Sequence, residues 1–331
     1  MFLGRSRGIF KVALVLAILA GITPFLPEYM CILLIQSLIF GILAMGLDVL
    51  LGYTGLPSLG QAAYFGVGAY TVAILTTRYN FGFFSTLILG ILLAAAVAAL
   101  FGLIAIRATG VYFLMLTLAL AMIIWGLAWR WNSLTDGDNG IPGIPRPELG
   151  LDLNSYVNLF YFMLVFFILC LVALYILTNS PFGRSLVGIR EGEERMRMLG
   201  YNVWLHKYLA FVIAGTFAGI AGVLWAFYKN FVSPDDLNID VSVEALLMVA
   251  LGGPATLVGA AVGAGVIVFL RNYVSIYYSG WPYILGGMYI FTILYLPEGL
   301  MGIARRLRQR APTQELAERV SVERGHNKEG G

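Results

Sequence analysis

The sequence predicts an all-α polytopic membrane protein with about ten transmembrane helical elements, broken helices among them, arranged as two weakly repeated halves. Three observations lead there. The 331-residue chain is 60% apolar, has a mean hydropathy of +0.84 and is only 12% charged, about half the charged share of an ordinary soluble protein. So few charges cannot cover a soluble globule, and lipid must solvate the remainder. The apolar residues also fall into runs close to the roughly 20 residues that one membrane span requires. Finally, Lys and Arg gather in alternate connections between the runs, as residues retained on the cytoplasmic side do.

The first run, Val12 to Leu26, follows Arg5, Arg7 and Lys11, a layout shared with secretory signals. It ends in Pro24 and Pro27 without a small-x-small cleavage site, and further runs follow at once. We therefore read it as a first transmembrane helix, with a signal peptide as the alternative. The later runs are Cys31 to Leu51, Leu59 to Thr77, Phe83 to Ile106, Val111 to Trp129, Tyr156 to Leu177, Tyr208 to Phe227, Val243 to Leu251, Ala255 to Leu270 and Trp281 to Leu296. Val243 to Leu251 is too short to span alone, so it either crosses as an incomplete helix or belongs to a broken one. Cys31 and Cys170 both lie in apolar runs and are expected to pack as small hydrophobes.

With the N-terminus placed inside, the connections at Arg107 and Thr178 to Lys207 and the tail after Leu300 also fall inside. Together with the N-terminal segment they hold sixteen of the 21 basic residues. The connections Trp131 to Ser155 and Lys229 to Asp240 then lie outside, and both are acidic. This predicts cytoplasmic N- and C-termini in a multi-pass protein of the cell inner membrane. Residues 1–303 form the transmembrane domain, with its main cytoplasmic loop at 178–207. Residues 304–331 form a basic cytoplasmic tail, disordered or a short surface helix, and carry the whole net charge of +3.

Two segments interrupt their helices with glycine and proline, LGYTGLPSLG from Leu51 to Gly60 and LGGPATLVG from Leu251 to Gly259. Asp48 precedes the first and Glu244 the second, and a small-residue helix follows each. Paired interruptions of this kind mark discontinuous helices at a solute pathway, and unwound backbone at membrane depth must face protein or a water-filled cavity. The candidate pathway residues are Asp48, Gly52, Tyr53, Pro57, Ser58, Gln61, Glu244, Gly252, Gly253 and Pro254. A second reading stays open, in which glycine and proline only kink or pack the helices. The two acids would then bond freed backbone groups at a helix break. No catalytic set emerges: His206 and His326 are the only histidines, and GxSxG and a phosphate-binding P-loop are absent.

The loop Thr178 to Lys207 opens on Ser180 and Pro181, a helix cap and a first helical residue. Leu186, Ile189, Met196 and Leu199 then supply an apolar stripe, Gly192 breaks it, and Gly200 with Asn202 is expected to stop it. Read alone, the surrounding charges describe either a solvated loop or a docking element for a cytosolic ATPase.

Four stretches in order, Gly46 to Leu75, Thr135 to Pro145, Ser180 to Asn202 and Leu246 to Ala264, resemble the high-affinity branched-chain amino-acid permeases of the ATP-binding-cassette class, M-type subunit. The likeness runs from about Cys31 to Leu300. It implies a non-catalytic importer subunit, without cofactor, that pairs with an H-type permease, two ATP-binding subunits and a periplasmic or lipid-anchored binding protein. Urea and short-chain amide permeases share the pattern, and an ion-coupled secondary transporter using Asp48 and Glu244 is the reading from a different class. Importer permeases carry a coupling loop in which EAA precedes a glycine. Glu194 and Gly200 keep that spacing, while Arg195 and Met196 replace the alanines. By this resemblance the ATPase contact falls on Gly183, Arg184, Arg190, Glu191, Glu194 and Gly200, and the Thr135 to Pro145 loop either meets the binding protein or is a tight turn.

Overall fold

A computed structural model describes residues 20–147, 153–277, 280–295 and 299–302. The Val12 to Leu26 run lies largely outside these residues, and the 304–331 tail lies wholly outside them. The other nine runs are helical. They are α1 (Glu28–Asp48), α2 (Gln61–Thr77), α3 (Phe83–Ala105), α4 (Val111–Arg130), α5 (Tyr156–Asn179), α8 (Val203–Lys229), α9 (Ile239–Gly252), α10 (Leu257–Tyr277) and α11 (Trp281–Tyr295). Between α5 and α8 lie the short helices α6 (Pro181–Glu191) and α7 (Glu193–Met198). Among the described residues, six helices are long and apolar enough to cross a membrane: 28–53, 83–105, 111–130, 156–179, 203–229 and 257–276. The chain is therefore a mostly helical, polytopic membrane protein.

The distribution of side-chain size confirms which solvent the helices were built for. On α3 the buried row is Thr86, Gly90, Ala94, Ala98, Gly102 and Ala105, while Leu92 and Leu100 stand 59% and 63% exposed. A water-soluble helix turns its leucines inward. Among lipids leucine gains nothing by leaving the tails, and small residues face neighbouring helices because they let the backbones approach. The central helix, α8, shows the same logic at Gly215, Gly219 and Gly222. A Cβ on these would strike Ala98, Ala94 and the Phe65 carbonyl respectively, so α8 lies directly against both α2 and α3.

The connections gather at two ends of the bundle. At one end, Arg78 pairs with Asp136 at 3.0 Å, and β1 (Ile141–Pro142) pairs antiparallel with β2 (Phe231–Val232). The two connections expected outside from their acidity are thus joined to each other. At the opposite end, the α6–α7 hairpin, the break after α1 and the break between α9 and α10 come together. Asn202 is a correction: rather than stopping α7, its side chain accepts from the Leu205 amide at 3.1 Å and caps α8. As a result α8 begins at Val203, earlier than the apolar run alone indicated, and Lys207 lies inside it, buried and paired with Glu193.

Candidate functional site

The two interruptions, far apart in sequence, meet at one junction. α1 widens into a single π turn over Val49–Tyr53, a distortion that recurs at functional positions. Asp48, fully buried at the start of this turn, accepts a hydrogen bond from the Ala255 amide at 2.8 Å. Ala255 has a left-handed φ of 58°, which turns its N–H toward the carboxylate just ahead of α10. The carboxylate thus caps α10 from another helix, where the positive end of the helix dipole and freed backbone donors favour a negative charge. Gly52 makes the approach possible, because a Cβ there would collide with Asp48 Oδ1 and the Ala255 backbone. Gly252 packs on the Gly259 backbone, and Gly253, at φ 111°, packs on Gly299. Pro254 is half-buried beside them.

The junction reaches the hairpin end through one side chain. Arg190, at the end of α6, donates from Nη1 to the Gly52 carbonyl, and its stem lies over Gly55, whose φ is +77°. Its guanidinium charge also acts on Asp48. α6 starts as the sequence predicts, with Ser180 Oγ accepting from the Gly183 amide at 3.3 Å. Gly183 has no room for a side chain against the Thr178 backbone. Leu186 and Ile189 are buried as the stripe predicts, whereas Met196 is half-buried and Leu199 exposed. The outer face presents Arg184, Glu191 and Glu194 beside Met198 and Leu199, which are 85% and 67% exposed. Gly200, at φ 86°, turns the chain out of α7.

Beyond the π turn, half-buried Pro57 leads to the start of α2, where the backbone donors meet hydroxyls. Ser58 Oγ accepts from the Gly60 amide at 3.2 Å, Thr117 Oγ1 from Leu59 at 3.2 Å and Ser242 Oγ from Ala62 at 2.9 Å. Gln61 is fully buried, and neither polar atom of its side chain has a hydrogen-bond partner among the described residues. Such an amide is costly in a finished core, so its presence needs a reason. Thr117 and Ser242 are not legible in the sequence, because single hydroxyls in apolar runs carry no motif.

Glu244 lies apart from the junction. It forms an ion pair with Arg271 at 2.8 Å, and the guanidinium carbon lies 5.4 Å from the centre of the Phe40 ring. Next to this pair, Asn272 donates to Gln36 at 3.1 Å, and Gln36 donates to the Tyr228 hydroxyl at 3.0 Å. The two acids that precede the interruptions therefore do different things: one caps a broken helix and the other pairs with an arginine.

Helices that expose leucine, bury glycine and enclose two unwound junctions define a multi-pass membrane protein built around discontinuous helices. The family model described as "Branched-chain amino acid transport system / permease component" matches residues 29–296. The chain belongs to this family and is a non-catalytic membrane subunit, the permease component of a branched-chain amino-acid transport system of the ATP-binding-cassette type. It is 31% identical to the high-affinity branched-chain amino acid transport system permease protein LivM of Salmonella typhimurium, over 82% of this chain and 69% of that relative. The LivM of Escherichia coli is also 31% identical, over 81% and 69%. A probable LivM of Methanocaldococcus jannaschii is 27% identical, over 80% and 90%. No solved structure matches the chain.

Proposed function

We propose that the chain moves leucine, isoleucine and valine inward across the cell membrane, together with a second, H-type permease, two ATP-binding subunits and a substrate-binding protein outside. The hairpin end faces the cytoplasm, with both termini, and the acidic end faces outward. This orientation follows the positive-inside distribution of Lys and Arg. The observation that carries the mechanism is the bond from Arg190 to the Gly52 carbonyl. It ties the surface helix α6 to the backbone of a broken helix. Through Asp48 and Ala255 it reaches the second break.

The exposed face of the hairpin, with Met198, Leu199, Arg184, Glu191 and Glu194, receives the ATPases. When they close on ATP, α6 moves. A displacement there changes the contacts at both breaks, which gives the differential interaction that any two-state transporter requires. The solute passes near the start of α2, where Gln61 supplies an amide with unused hydrogen-bonding capacity. Replacing Arg190 and Glu194 together by alanine should lower uptake and ATPase stimulation in the reconstituted system while the subunits still assemble. Unchanged uptake would remove the hairpin from the coupling path.

A further inference from the structure

We propose that Glu244 and Arg271 form a receiving site for the two charged ends of a zwitterionic solute on its way in from the acidic end. The proposal rests on the reading of this chain as an amino-acid permease, and it adds a site distinct from the α6 junction. Glu244 lies about 8 Å along α9 from its first residue, and Arg271 about 9 Å from the last residue of α10, at about 1.5 Å per residue. Both helix ends lie on the side of the 230–238 connection, so the pair sits within the outer part of the bundle.

A charged pair there is expensive to keep. Taking both ions out of water costs several kcal/mol each, on the order of what their attraction returns, and an apolar pair of similar volume usually serves stability as well. Helix pairing alone therefore explains these residues poorly. Exposure argues the same way. The Glu244 side chain is 8% exposed and that of Arg271 is 22% exposed. An arginine partly accessible this close to the outer end of α10 is placed to reach water.

The surroundings are polar on the outward side. Asn272, Gln36 and Tyr228 continue the polar line from Arg271 through hydrogen bonds of 3.1 and 3.0 Å. Arg146 stands in the connection after β1, its guanidinium carbon 5.7 Å from the centre of the Tyr156 ring. Polar side chains thus run from beside the pair to Tyr228, near the outer end of α8.

The chemistry selects the ligand. A guanidinium offers a carboxylate two parallel donors, and the Glu244 carboxylate offers an ammonium its acceptor. Empty, the two residues satisfy each other. Occupied, they exchange partners with a zwitterion, and the site is neutral before and after, so no isolated charge is left in a low-dielectric setting.

The test uses the complete transporter, reconstituted in liposomes with its binding protein and supplied with radiolabelled leucine and ATP. Replacing both partners by glutamine, Glu244→Gln with Arg271→Gln, removes both charges and leaves a neutral polar amide at each position. The expected result is normal assembly and basal ATP hydrolysis with leucine uptake reduced about tenfold or more, the loss of charge-assisted contacts to the solute. Uptake within about twofold of wild type, a difference too small for such contacts, would show that the pair only joins α9 to α10 and would overturn the site. A second measurement needs no variant. Leucinol, which lacks the carboxylate, and isocaproate, which lacks the ammonium, should each compete at least about tenfold more weakly than leucine for the purified permease–ATPase complex without binding protein. Equal competition by either analogue would equally overturn the site. A wild-type complex that moves no amino acid would instead overturn the reading on which the site rests.

Discussion

Replacing Gly52 by alanine tests the junction at its tightest point. The added Cβ would meet Asp48 Oδ1 and the backbone N and Cα of Ala255. One of the two segments must move, and either movement breaks the 2.8 Å bond between Asp48 and the Ala255 amide. Overpacking costs about 1–3 kcal/mol, and losing a hydrogen bond to a charged group costs about 1.5–3 kcal/mol. Together these predict a loss of about 2.5–6 kcal/mol, which corresponds to roughly 4–9 °C in the unfolding midpoint of a 331-residue chain. Gly126→Ala is the control, since a methyl group added at Gly126 would have nothing within 4 Å and alanine suits a helix interior better by about 0.5–1 kcal/mol. Thermal unfolding of the two purified variants in the same detergent decides the matter. If Gly52→Ala melts within about 1 °C of wild type, a shift worth about 0.7 kcal/mol, the junction is not packed as described.

Other consequences are checked by the same kinds of measurement. Gly222→Ala drives a methyl group into the Phe65 carbonyl and should destabilise the α2–α8 crossing by about 1–3 kcal/mol, whereas Gly265→Ala, which meets nothing, should melt at or slightly above the wild-type temperature. Met198→Ser with Leu199→Ser removes exposed apolar surface and should weaken co-purification of the ATP-binding subunits without lowering the melting temperature of the permease itself.

Much of the fold was legible in the sequence because run length and apolarity decide where a membrane helix can exist. The nine runs from Cys31 onward appear as helices at the expected places, with ends shifted by a few residues. The shifts have physical causes. α8 begins at Val203 because the Asn202 side chain satisfies its first turn, and Lys207 enters the helix because Glu193 neutralises it. Hydropathy registers neither effect. The glycine and proline interruptions were equally plain, but their meeting was not. Asp48 and Ala255 are 207 residues apart, and no local pattern announces a cap supplied by another helix.

Glu244 was legible as an acid in an apolar run, while Arg271 was missed at the point where the next run appeared to end. A charge that closes a run reads as a boundary until its partner, 27 residues back on a different helix, shows that it belongs inside. Arg190 was visible among the loop charges, yet nothing in the sequence distinguished it from Arg184. Only the packing of α6 against the first break separates an inward-reaching arginine from an outward one.

The central claim is that α6 transmits work to the broken helices through Arg190. Arg190→Met keeps most of the stem that covers Gly55 and removes the donor to the Gly52 carbonyl. The decisive measurement is the number of leucine molecules imported per ATP hydrolysed by the reconstituted transporter carrying this substitution. Hydrolysis should continue with a ratio reduced about fivefold or more, in line with about 1 kcal/mol or more of lost coupling. A ratio equal to that of wild type would contradict the claim.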